Sequence, residues 1–110
     1  MNQGMNQERS LSAILELTRH MLRMAETEDW QALMALEEAR QGIMAAFFAP
    51  PWAAERVPGV ASALRDVLAL NQQIIALSEA GRQQAADGMR QLQQKHRAMQ
   101  AYDDHQERVA

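Results

Sequence analysis

The sequence predicts an all-α fold, an antiparallel three-helix bundle with a long third helix. Three observations carry that expectation. Apolar residues recur every three or four positions through most of the 110 residues, which is the period of one helix face. Ala, the best helix former, supplies much of the 47% hydrophobic fraction, so packing falls to Leu, Ile, Met and a few aromatics. The 3 prolines fall at positions 50, 51 and 58, so the segments on either side contain no helix breaker of that kind.

Ser10 is a suitable N-cap for the first helix, with Leu11, Ile14, Leu15, Thr18, Met21, Leu22 and Ala25 along one face and Glu16, Arg19, Arg23 and Glu26 on the other. Glu26-Thr27-Glu28-Asp29 ends that pattern, and Asp29 or Thr27 can cap the next helix. So short a connection makes neighbouring helices antiparallel. The second helix buries Trp30, Leu33, Met34, Leu36, Ile43, Met44 and Phe47, and turns Glu37, Glu38, Arg40 and Gln41 outward. Pro50 and Pro51 stop it. A loop carrying Trp52 leads to Pro58, which suits the first turn of a third helix because its missing N–H would be unpaired there anyway.

The third stripe reads Val60, Leu64, Val67, Leu68, Asn71, Ile74, Ile75 and Ser78, then Ala85, Met89, Leu92, His96, Met99 and Tyr102. At 1.5 Å per residue this helix reaches roughly 65 Å, against about 25 Å for each of the first two. Its apolar stripe therefore needs a further cover, supplied by the chain's own C-terminal end or by a second protein. Gly81 and Gly88 each cost about 1 kcal/mol in a helix interior, so the segment between them either bends and breaks into a fourth helix or runs on uninterrupted. The expected organisation is a single helical domain over 1–110, with 1–9 disordered and 103–110 a frayed tail.

Composition narrows the function. The absence of Cys removes disulfides and thiolate zinc sites, and the polar start carries no secretory signal, so a cytoplasmic protein is expected. No apolar run approaches the ~18 residues of a membrane span. A net charge of −3, with no dense Lys and Arg cluster, argues against nucleic acid as a partner. His20, His96 and His105 lack metal-ligand spacing, and Tyr102-Asp103-Asp104-His105 points in several directions on a helix. Glu37 and Glu38 diverge and are expected to be solvated. With no phosphate loop and no nucleophile motif, the sequence predicts neither an enzyme nor a cofactor. Of the 8 methionines, Met89 and Met99 lie where least of the chain is left to bury them. Arg82, Arg90, Lys95 and Arg97 form a weakly basic stretch.

In order along the chain, several passages resemble the FliT-type flagellar export chaperones. They are the helix Leu11 to Ala25; Glu28-Asp29-Trp30-Gln31-Ala32-Leu33, similar to the family's acidic-Trp opening of the second helix; and Glu37-Glu38-Ala39-Arg40 followed by an apolar run and prolines. Leu68-Ala69-Leu70-Asn71-Gln72-Gln73-Ile74-Ile75 in a long third helix and Ala101-Tyr102 after a Gln-rich segment complete the set. The resemblance implies a chaperone that binds the C-terminal region of the filament cap protein, prevents its premature assembly and delivers it to the flagellar type III export apparatus. It also implies an export-gate contact through Tyr102, and a last helical segment, roughly Gln83 to Tyr102, that covers the binding surface. Some family members restrain a flagellar transcription regulator. The acidic Asp103-Asp104 after Tyr102 departs from the family's pattern.

The expected partner-binding residues are Ile74, Ile75, Met89, Leu92 and Met99 on the uncovered stripe, together with Tyr102. The alternatives are a homodimer zipped through the third helix, or a helical regulator that binds a transcription factor or the export ATPase through its basic stretch.

Overall fold

The structure is a computed structural model that describes residues 2–49 and 59–109, with side chains for 7–49 and 59–108. Three helices, α1 (Asn2–Glu26), α2 (Trp30–Phe47) and α3 (Val60–Val109), account for nearly all of it, and no strand occurs among the described residues. The expectations placed on Pro50, Pro51, Trp52 and Pro58 lie outside the described residues. The chain divides into two compact units, Met1–Ser78 and Glu79–Ala110.

The first unit is the predicted antiparallel bundle. Leu11 and Ile14 of α1, Phe47 of α2, and Val60 and Val67 of α3 form one buried cluster, flanked by Leu15, Ile43, Met44, Ala63 and Leu64. The middle of α1 lies with the end of α2 and the beginning of α3, and further along Arg40 of α2 meets Thr18 of α1 and Asn71 of α3, which makes α2 antiparallel to both. On α1 the predicted face is the packed one: Leu11, Ile14, Thr18, Met21 and Ala25 are all buried. On α3 the buried positions are Val60, Val67 and Ile74, with Leu64, Asn71 and Ser78 half-buried beside them, a heptad-like seam. Leu68 and Ile75 stand one position round the helix from that seam and are exposed, so the packed stripe is narrower than the sequence suggested.

The turn between α1 and α2 shows why the hairpin closes where it does. The Asp29 N–H donates to the Met24 carbonyl at 2.9 Å and the Glu28 N–H to the Ala25 carbonyl at 3.2 Å, the paired bonds of a Schellman motif. Glu28 sits in the left-handed region at φ 60°, the position usually given to glycine. Asp29 then caps α2, its Oδ1 accepting from the Ala32 N–H at 3.2 Å. One residue therefore closes the first helix and opens the second. At the other end of α2, Phe47 and Phe48 meet edge to face at 4.9 Å, with Phe47 buried and Phe48 partly exposed.

Arg40 is the largest departure from expectation inside the bundle. Predicted to face outward, it is only 5% exposed. One terminal nitrogen donates to the Thr18 hydroxyl of α1 at 3.1 Å and to Asn71 Oδ1 of α3 at 2.7 Å, and the other donates to Glu37 Oε2 at 2.8 Å. Thr18 in turn donates to the Ile14 carbonyl at 2.7 Å. Thr18 and Asn71 were placed on apolar stripes from periodicity alone, and the two polar groups there are the reason that Arg40 turns inward. Arg40 Nε has no partner among the described residues.

Helix ends also differ from the sequence reading. α1 starts at Asn2 instead of at Ser10 and takes in residues expected to be disordered. Gln, Met, Glu and Arg are adequate helix formers, and extending a helix already nucleated by packing adds one hydrogen bond per residue fixed. α3 starts at Val60, two residues after Pro58, behind Gly59 at φ 73°, whose carbonyl accepts the Ala63 N–H at 2.9 Å. In the second unit α3 passes through Gly81 and Gly88 without a break, so no fourth helix forms among the described residues. Two side-chain ties reinforce that stretch: Gln83 Nε2 donates to Asp87 Oδ1 at 3.2 Å, and Arg90 pairs with the same carboxylate across Gly88. The segment predicted to fray continues as helix to Val109, with Gln106 Nε2 donating to the Tyr102 hydroxyl at 2.7 Å.

Arg40→Ala should lower stability by about 2–4 kcal/mol, because it strands the Asn71 amide and opens a void. Arg40→Met combined with Asn71→Leu should cost clearly less than the two single changes added together, read from urea unfolding midpoints. Glu28→Gly should raise stability by about 0.5–1 kcal/mol in the same assay, since it relieves the left-handed strain.

Candidate partner-binding site

On the first unit a concave groove of about 430 Å³ is lined by Met21 of α1, by Leu33, Met34, Glu37, Glu38 and Gln41 of α2, and by Ile74 and Ser78 of α3. Its position follows from the bundle's construction. Large residues fill the Leu11–Phe47–Val60 end, whereas further along the helices the Arg40 layer is followed by a floor of Met21, Leu33 and Ile74. Met34, expected in the core, is 71% exposed at the groove's edge. A solvated thioether at such an edge is soft and adaptable, which suits contact with apolar side chains of varied shape.

Glu37 and Glu38 share this rim instead of pointing into separate solvent. Both oxygens of Glu37 are engaged, Oε2 by Arg40 and Oε1 by Gln41 Nε2 at 3.3 Å. Glu38 is exposed and has no hydrogen-bonding or ionic partner among the described residues. No Lys or Arg lines the groove among the described residues.

The residues expected to bind a partner divide between the two units. Ile74 is buried at 6% exposure and forms part of the groove floor, whereas Ile75 is 54% exposed. In the second unit Met89, Leu92, Met99 and Tyr102 are all at least 60% exposed on a single helix, with Met89, Leu92 and Met99 close to one face and Tyr102 further round it. Sequence reasoning did not select Met21, Leu33, Met34, Glu37, Glu38, Gln41 or Ser78 as site residues. Periodicity places Met21, Leu33 and Met34 on core-facing stripes and the acidic pair on the solvated side. The available signal was Arg40 three residues beyond Glu37, a spacing that lets the pair meet across one helical turn.

Among the described residues no group of His, Cys, Asp and Glu is arranged to hold a metal ion, and no helix is long and apolar enough to cross a membrane. Comparison with known families then settles membership, because the model of the flagellar protein FliT family matches residues 8–104, nearly the whole chain. The chain belongs to the FliT family. No curated protein and no solved structure gave a match. Membership implies the role of a flagellar export chaperone, with partners drawn from the flagellar system. Within this FliT-family chain, the matched region takes in α1 from Glu8, all of α2 and α3 as far as Asp104, so it covers both the groove and the exposed row.

Proposed function

We propose that this FliT-family chain is a cytoplasmic chaperone of flagellar type III secretion. It binds the C-terminal region of the filament cap protein, holds it from premature assembly and delivers it to the export apparatus. The observation that carries this reading is the exposed row Met89, Leu92 and Met99. Three large apolar side chains, each 60–65% exposed on one helix, leave apolar area in water that docking would remove. An amphipathic or extended segment with apolar anchors at helical spacing is the complementary shape. Ile75, 54% exposed, offers a further apolar contact on the first unit.

Tyr102, 62% exposed with its ring presented to solvent, is assigned the contact with the export gate. Control of a flagellar transcription regulator and contact with the export ATPase are further roles open to the same chain, with Arg82, Lys95 and Arg97 as exposed cations for such contacts.

Size-exclusion chromatography with light scattering, on the chain alone and mixed with the C-terminal segment of the filament cap protein from the same organism, tests the reading. A 1:1 complex is expected. A tight dimer indifferent to the segment would overturn it in favour of a structural homodimer. Leu92→Asp and Met99→Asp should each weaken the complex about tenfold, as truncated interface anchors commonly do, while leaving helix content by circular dichroism unchanged.

A further inference from the structure

The groove of the first unit has features that the cap-protein reading does not use. Its floor is apolar and shaped by three helices, its edge carries a 71% exposed methionine, and its rim carries two carboxylates and, among the described residues, no cation. The two carboxylates are not equivalent. Glu37 is paired with the buried Arg40 and also accepts from Gln41, so much of its charge is compensated within the chain. Glu38 leaves the groove with one uncompensated negative charge beside apolar surface.

We propose that this groove is a docking site for a peptide segment that places a Lys or Arg next to its apolar anchors, with Glu38 as the residue that selects it. The apolar anchors enter against Met21, Leu33 and Ile74, and Met34 folds over them. The neighbouring cation meets Glu38. Selection follows from desolvation. Docking any segment removes water from the Glu38 carboxylate; a cation replaces that water, a neutral segment leaves the carboxylate poorly solvated, and an acidic segment adds repulsion. Arg40 acts behind this surface as a positioning residue, because it fixes and compensates Glu37 on the rim and leaves Glu38 as the lining carboxylate with no ionic partner among the described residues. This site does not depend on the cap-protein reading.

The test uses the full chain and three synthetic 16-residue amphipathic peptides with identical Leu and Met faces, flanked by Lys, Gln or Glu, titrated by isothermal calorimetry at low and high salt. The Lys peptide should bind best and the Glu peptide worst. Each step should be roughly two- to fivefold, the strength of a partly exposed ion pair, and should shrink in high salt. Glu38→Gln should abolish the ranking and Glu38→Lys should invert it. Because Glu38 is exposed, both variants should fold, and circular dichroism checks this. Met34→Ser should weaken all three peptides together, which places binding at the groove.

Equal affinity for the three peptides, no binding of any, or a ranking untouched by Glu38→Lys would overturn the proposal. A dimer of the wild-type chain that Glu38→Lys dissociates would overturn it in favour of a second copy as the occupant. If the Lys peptide binds with the expected ranking while the cap-protein segment fails in light scattering, the groove stands and the cap-protein reading falls. The reverse pattern removes the groove alone.

Discussion

A guanidinium group held at 5% exposure in so small a bundle constrains everything packed around it. An unpaired buried charge would cost several kcal/mol, so Arg40 is tolerated only where Thr18, Asn71 and Glu37 all lie within reach. Each of the three helices contributes to that set. A shift of any helix by one residue would swing its partner group about 100° away and leave a buried polar atom unsatisfied. The apolar cluster at the Leu11–Phe47–Val60 end provides most of the driving force for association but is tolerant of small slips. The polar layer supplies the discrimination that apolar contacts lack, in the way a single polar residue fixes register in a coiled coil.

The same layer determines how the bundle meets its surroundings. Because the Arg40 chain runs inward between α1 and α3, the next positions of α2 towards its N-terminus, Glu37, Glu38, Leu33 and Met34, border an open concavity and not a closed core. Small and polar groups, Ser78 and Gln41, stand where a large apolar residue would have filled it. An open groove with apolar walls must keep from collapsing on itself, and here the rigid polar tie of Arg40 stands beside the adaptable, Met-edged rim.

The second unit has a different physical character. Its residues are nearly all exposed, and its helix is held by backbone bonds and by local side-chain ties such as Gln83–Asp87, Asp87–Arg90 and Tyr102–Gln106. Such ties contribute only a few tenths of a kcal/mol each at exposed positions. Met89, Leu92 and Met99 gain nothing from burial within the chain, in contrast to Ile14 and Met21 of the first unit. A helix of this kind is stabilised by whatever covers its apolar row, which is the thermodynamic condition for a surface that responds to a partner.

The sequence by itself determined the helical class, the α1 face from Leu11 to Ala25, the long third helix and the family. All of these rest on interactions between residues close in the chain, or on passages recognisable in order. Only the tertiary structure decided that Arg40 faces inward, that Met34 faces outward, that Glu37 and Glu38 share a rim, and that Gly81 and Gly88 lie in continuous helix. On α2 alone, periodicity cannot say which way an arginine turns, because its direction depends on Thr18, 22 residues before it, and on Asn71, 31 residues after it. The glycines left the continuity of α3 open for a related reason: their cost of about 1 kcal/mol each is a local penalty, and the helix on both sides of them outweighs it.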